Sequence, residues 1–167
     1  MRSVKKLGAV TLGVVLTTLL ARADAPEGLY GVGTDTILDS RTRLQWERRA
    51  SAPPELFTFD EATTRCAGLT TGGFSWRVPT VKELQSLVDE GQSDPVHGYI
   101  ASPPFAVTGA ARLDSMWWTS TPVVGQTGKH WAVSFGHGAS GINPVGTVPC
   151  NDVTYMLEVR CVLGPVP

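Results

Sequence analysis

The chain has 167 residues, 42% of them apolar and 17% charged, with three cysteines and a formal net charge of −1. Four of its 14 basic residues fall within the first 23 positions, ahead of every acid, so the remainder carries ten bases against 15 acids, a net of −5. Such a surface disfavours nucleic acid and, without a local basic patch, sulfated polyanions.

Arg2, Lys5 and Lys6 precede an apolar run from Leu7 to Leu20, and Ala21-Arg22-Ala23 and Ala23-Asp24-Ala25 are overlapping small-residue cleavage sites. This is the form of a secretory signal peptide over residues 1–23. The run is short for a membrane span, which takes roughly 20 apolar residues. Export to the periplasm, the cell surface or the medium puts Cys66, Cys150 and Cys161 in an oxidising compartment. Residues 24–35 then read as a Gly-rich lead-in, and 36–164 as one domain long enough to bury its own core.

Within that domain, Thr36–Asp39 and Arg43–Trp46 read as short strands joined by the polar turn Ser40-Arg41-Thr42, a β-hairpin. Arg41, Arg43, Arg48 and Arg49 are the closest basic cluster; Glu47 interrupts it, and it reads as a solvated hairpin face. Thr58-Phe59-Asp60-Glu61 is a capping box opening a helix over about Phe59–Leu69, with Phe59, Ala62, Cys66 and Leu69 on one stripe. The densest stretch is Gly72–Leu84. Two glycines end the first helix, Pro79 fixes φ, and Thr80-x-x-Glu83 opens a second helix over about Val81–Asp89. Trp76, Arg77, Pro79, Thr80 and Glu83 read as structural, with Arg77 paired to a carboxylate or to loop carbonyls.

Residues 90–113 lack periodicity and read as a long loop, the kind that carries function. Met116–Thr121 and His130–Phe135 read as strands, Gly136–Gly146 as a second loop, and Tyr155–Val162 as a last strand. In that strand Tyr155, Leu157, Val159 and Cys161 face inward, while Glu158 and Arg160 face away. Cys66 on the inward stripe and Cys161 on the inward strand face point at one core, so a Cys66–Cys161 disulfide is expected. Cys150 is left over, as a free thiol or as a link between chains in a homo-oligomer.

The ordered runs Thr42-Arg43-Leu44-Gln45-Trp46, Phe59-x-x-Ala62-x-x-x-Cys66-x-x-Leu69, Gly73–Leu84, Trp118-Thr119-Ser120-Thr121 and Val159-Arg160-Cys161-Val162 resemble the Lcl C-terminal domain family. The resemblance covers about Asp39 to Val162. Arg43 stands where that pattern usually has glycine, which leaves the hairpin turn type open, and Cys150 is additional. The resemblance implies an α+β, C-type-lectin-like fold in which two helices flank a small twisted antiparallel sheet with long loops. It also implies a bridge from the first helix to the last strand, an envelope or extracellular location and, by way of the adhesin that names the family, glycan binding.

The remaining chemistry is sparse. His97, His130 and His137 lack the spacing of a zinc site. Asn151-Asp152 is similar to the calcium-ligating pair of sugar-binding C-type lectins, but no converging set of six to eight oxygens accompanies it. Cys150 has no evident base to activate it, and the cysteine pair of formylglycine-generating enzymes, which share the Arg-hydrophobic-Pro-Thr stretch, is not recognisable. No metal or other cofactor is therefore expected, and no catalysis. Trp76, Trp117, Trp118 and Trp131 are the aromatics a sugar platform would draw on, though strand aromatics usually pack inward. Alternation sends one of the adjacent pair Trp117-Trp118 outward, making that pair the expected ligand contact. The expected function is an exported, non-catalytic binding or adhesion module whose loops at 90–113 and 136–151 read a glycan or a surface protein. An envelope assembly protein with a protein partner is the alternative, and a formylglycine-generating-type enzyme a distant third.

Overall fold

The computed structural model describes residues 28–48, 55–71, 75–89, 100, 104–105, 116–135, 146–151 and 155–164, with backbone alone for 146–151. The expected signal peptide and nearly all of the two long loops lie outside the described residues.

The hairpin is present, and it belongs to a larger sheet than the sequence suggests. Strand β1 (Tyr30–Val32) pairs with β2 (Thr36–Asp39), β2 with β3 (Gln45–Glu47), and β3 with β7 (Val162–Leu163), all antiparallel. The glycine-rich lead-in therefore ends in an edge strand, with Tyr30 opposite Asp39. In the turn, the Asp39 carboxylate accepts hydrogen bonds from the backbone N–H of Arg41 and Thr42 and from the Thr42 hydroxyl at 2.7 Å. This closes an Asx-type turn and satisfies a fully buried carboxylate. Arg43 sits at φ 60°, the left-handed conformation that glycine adopts without strain. The turn keeps the geometry of a glycine position and fills it with arginine.

A second sheet holds β4 (Met116–Pro122), β5 (Lys129–Ser134) and β6 (Gly146–Asn151) in that order, all antiparallel. Residues 146–151, expected as loop, are thus an edge strand. The fold is α+β, with two small sheets in place of the single one expected. Helices α1 (Phe59–Ala67) and α2 (Val81–Gln85) each begin with a complete capping box, Thr58 with Glu61 and Thr80 with Glu83. Helix α2 is four residues shorter at its C-terminus than the apolar spacing suggests. Ser86 ends it, its backbone N–H and hydroxyl both donating back to Glu83 O. The chain then tightens through Leu87 and Val88 into i→i+3 bonds. No helix among the described residues is long and apolar enough to cross a membrane.

Strand β4 divides the interior. Trp117 and Val133 lie in one apolar cluster, with Trp46, Leu84 and Phe105. Trp118 and Ala132 lie in another, with Cys66, Trp76 and Cys161. Successive strand residues project to opposite faces, so the sheet is covered on both sides. The C-terminal segment 157–162 runs between the two cores and stitches the sheets together. Glu158 exchanges backbone bonds with β4 through Trp118 N–H (2.9 Å) and Met116 O (3.0 Å), Leu157 pairs with Phe57, and Val162 pairs with Arg77.

That placement corrects the last-strand expectation. Only Val162–Leu163 enters a ladder, and Glu158 and Arg160 are buried at 1% exposure each. Tyr155, expected inward, is 46% exposed, and from Leu157 to Val162 every residue is buried, so Glu158 and Arg160 lie in the interior where solvent was expected. The Arg160 guanidinium lies 5.1 Å from the Trp117 ring centroid and 5.4 Å from that of Phe105, and donates to Glu47 O at 3.0 Å. Ring faces and a carbonyl offset part of its lost hydration. Immediately after β7 the chain passes close to the hairpin at Gly164, where a Cβ would lie 2.6 Å from Leu44 Cδ2.

The second core is closed by the expected disulfide, Cys66–Cys161, with Cα atoms 5.4 Å apart. Arg65 lies beside it. Its Nη1 donates to Cys161 Sγ (3.0 Å) and to Glu47 Oε2 (2.9 Å), while Nη2 pairs with Glu47 Oε1. One ion pair thus ties α1 to the first sheet next to the covalent tie.

Candidate functional site

The described part of the Gly72–Leu84 stretch, residues 75–84, supplies one wall of a groove through Thr80, Val81 and Lys82. Trp76 is buried and anchors its loop by donating Nε1–H to Thr71 O at 2.8 Å. Arg77 then crosses to the last strand through reciprocal backbone bonds with Val162, at 3.0 and 2.9 Å. Its guanidinium makes a bidentate pair with Glu83, at 2.8 and 2.6 Å. Glu83 Oε2 also accepts from Thr80 N–H (2.7 Å) and the Thr80 hydroxyl (3.0 Å). Burial pushes the Glu83 carboxyl up, but the Arg77 and Thr80 hydrogen bonds and the Arg77 charge together hold it below the usual carboxylate range. The same pairing raises the Arg77 guanidinium. Charge and hydrogen bonding at this carboxylate go into holding α2 in place.

Two bonds dock that wall on β4. Ser120 N–H donates to Pro79 O at 2.7 Å, and Val81 N–H donates to Thr121 Oγ1 at 3.0 Å. Between α2 and the β4–β5 hairpin lies a groove of about 490 Å³, lined by Thr80, Val81, Lys82, Gln85, Thr121 and Trp131. Lys82 and Gln85 are exposed, and Thr80, Val81, Thr121 and Trp131 half-buried. Leu84 of α2 packs in one core with Val133 and Trp117, while Trp131, two residues earlier on β5, is half-buried at the groove.

Neither member of the Trp117-Trp118 pair faces solvent, where alternation was expected to send one outward. Trp117 and Trp118 are 3% and 0% exposed, each sealed in its own core, because both faces of β4 are packed. Trp118 Nε1–H is satisfied by Phe57 O at 2.7 Å. Of the five tryptophans in the chain, four are at most 3% exposed and Trp131 is half-buried. The sequence holds one sign of this: Trp131 lies at the start of its strand, next to the Gly-rich hairpin tip Gly125–Gly128, where core cover runs out.

His130 points to the other side of β5. Its ring stacks on Phe59 with centroids 3.6 Å apart and planes 10° from parallel, and Phe59 in turn meets Trp118 edge-on. His130 is thus part of the cover over the second core. His97, His137 and Asp152 lie outside the described residues. Among the described residues, no group of three or more His, Cys, Asp or Glu side chains is placed to hold a metal ion. Cys150 occupies the β6 position opposite His130.

A second groove, of about 460 Å³, lies beside α1 and is lined by Leu56, Phe57, Asp60, Glu61, Thr64 and Met156. Leu56 and Met156 are 51% and 55% exposed, and Tyr155 next to them is 46% exposed. Exposed apolar side chains thus gather at one place, with Asp60 and Glu61 beside them.

The family model described as the Lcl C-terminal domain matches residues 35–162, a span that takes in both helices, β2 to β6 and every described residue of the groove at Trp131. Neither a curated protein nor a solved structure matches the chain.

Proposed function

We propose that this chain, which belongs to the Lcl C-terminal domain family, is an exported, non-catalytic binding module of the cell envelope that takes a glycan in the groove between α2 and the β4–β5 hairpin. The observation that carries this reading is the half-buried ring of Trp131 among hydroxyl, amide and ammonium groups. A flat aromatic face with a ring of hydrogen-bonding groups suits the two sides of a sugar, one lined with C–H bonds and one with hydroxyls. The C-type-lectin-like fold that the family resemblance implies, a scaffold for ligand loops, is consistent with this reading.

A glycan array probed with residues 24–167 tests the proposal. Binding is expected for the wild type and for Met156→Ser, and is expected to be lost in Trp131→Ala. Binding unchanged in Trp131→Ala moves the ligand elsewhere on the domain. The second reading, an envelope protein that docks a protein partner, is favoured by the exposed Leu56, Tyr155 and Met156 at the α1 groove. It predicts the opposite pattern: no glycan bound, and a cross-linked protein partner lost on Met156→Ser.

A further inference from the structure

We infer that the ligand of the Trp131 groove is an uncharged pyranoside, bound without a metal ion. The inference rests on the proposed glycan-binding role and fixes the ligand class and the mode of recognition.

The groups around the ring are hydroxyl, amide and ammonium. Thr121 Oγ1 already accepts the Val81 N–H, so its own proton is directed elsewhere and its second lone pair stays open. Gln85 contributes an exposed amide, with two donors and an acceptor, and Lys82 an exposed ammonium with three donors. The Thr80 hydroxyl is already engaged, donating to Glu83 Oε2 and accepting from Glu83 N–H. The open groups are thus mostly donors with a few acceptors, set around one aromatic face. Sugar hydroxyls both donate and accept, and match such a set without carrying charge.

Calcium takes six to eight oxygen ligands, carboxylates prominent among them. Among the described residues, none that lines the groove carries a carboxylate. Glu83, the acid of α2, has both oxygens committed to Arg77 and Thr80. Lys82 places an ammonium at the rim, which repels any cation that approaches. A lectin built this way recognises its sugar through the ring face and direct hydrogen bonds.

A sulfated or uronic polymer gains its affinity from several cations acting together. Among the described residues, Lys82 is the only cation lining the groove; Arg77, five residues before it, is neutralised by Glu83. Beyond the signal segment the chain has an excess of five acids, and its field opposes an approaching polyanion. One exposed lysine in that field serves as a hydrogen-bond donor to a hydroxyl.

The test is a titration of the 24–167 chain, followed by tryptophan fluorescence and calorimetry. The probes are the methyl β-glycosides of glucose, galactose and N-acetylglucosamine, with methyl glucuronoside and heparin as acidic counterparts, each with EDTA and with added calcium. At least one neutral glycoside is expected to bind with the same affinity in EDTA and in calcium. That affinity is expected to fall about tenfold or more in Trp131→Ala and less than threefold in Lys82→Met. Binding abolished by EDTA overturns the metal-free mode while leaving the glycan role standing. Binding confined to the acidic probes and lost in Lys82→Met overturns the neutral ligand class in the same limited way. Failure of every probe, extended to a full glycan array, overturns the proposed function itself. Trp131→Phe keeps a stacking ring and is expected to retain most of the affinity, which separates a binding defect from misfolding in Trp131→Ala.

Discussion

The two faces of β4 are built from similar apolar residues but held by different means. On the Trp118 face, α1 is fixed covalently by Cys66–Cys161, reinforced by the Arg65–Glu47 pair and closed over by the Phe59–His130 stack. On the Trp117 face, α2 is held by a capping box, one bidentate ion pair and two hydrogen bonds to β4. The first face buries both of its tryptophans, Trp76 and Trp118. The second ends in an open groove with a tryptophan in it. The difference shows how one sheet serves two purposes: the stapled core supplies stability, so the other face can leave a large aromatic ring uncovered.

Breaking the staple has the largest expected effect. Replacing both bridge cysteines with alanine removes a link that spans 95 positions, worth about 4 kcal/mol in the chain-entropy account, and denaturant titration is expected to show a loss of that order. Trp118→Ala comes next, at about 3–5 kcal/mol, because it empties the centre of the stapled core and leaves Phe57 O without its indole donor. Thr80→Ala acts on the other face and costs about 1 kcal/mol of stability through the lost cap. It is expected to weaken ligand binding too, since α2 forms a wall of the groove.

The carboxylate at the base of α2 gives the comparison a pH axis. Glu83 is held below its unfolded value, so its contribution is present above an unfolded pKa of about 4.3 and is lost as pH falls through the lower folded value. Arg77 is 42% exposed on its side chain, so solvent screens the pair and the effect stays below about 1 kcal/mol. Glu83→Gln is expected to flatten that part of the stability curve, as read by thermal melts between pH 3 and 7. The smallest effect has the opposite sign. Arg43→Gly relieves the left-handed φ of 60° and is expected to stabilise by roughly 0.5–1 kcal/mol, partly offset by the greater freedom of glycine in the unfolded chain.

Much of the stapled face is legible in the sequence. The stripe through Ala62 and Cys66 and the alternation through Leu157, Val159 and Cys161 are local periodicities, and together they aim both cysteines at one core. The capping boxes at Thr58 and Thr80 are equally plain, because each is complete within four residues. Coverage is what a sequence does not display. Period-two alternation states that Trp117 and Trp118 face opposite ways, and that Glu158 and Arg160 face away from Cys161. It does not state whether a second layer lies on the far side. That layer is assembled from the hairpin, Phe105 and Val162, which no local periodicity brings together, so residues expected in solvent are buried. The same blindness hides the half-buried ring: Trp131 shares a strand face with Val133 and Phe135, yet those two are buried and it is not. Strand β6 is illegible for another reason, since Gly146 and Pro149 are poor strand residues, placed there by pairing with β5.

The most direct measurement is iodide quenching of tryptophan fluorescence, compared between the wild type and Trp131→Phe, with and without the glycoside selected by titration. Because the other four tryptophans are at most 3% exposed, the wild type is expected to show one quenchable fraction, protected by the glycoside and nearly absent in Trp131→Phe. A quenchable fraction that persists undiminished in Trp131→Phe would place an exposed ring elsewhere, at Trp117 or Trp118, and contradict the division of the molecule into a stapled face and a binding face.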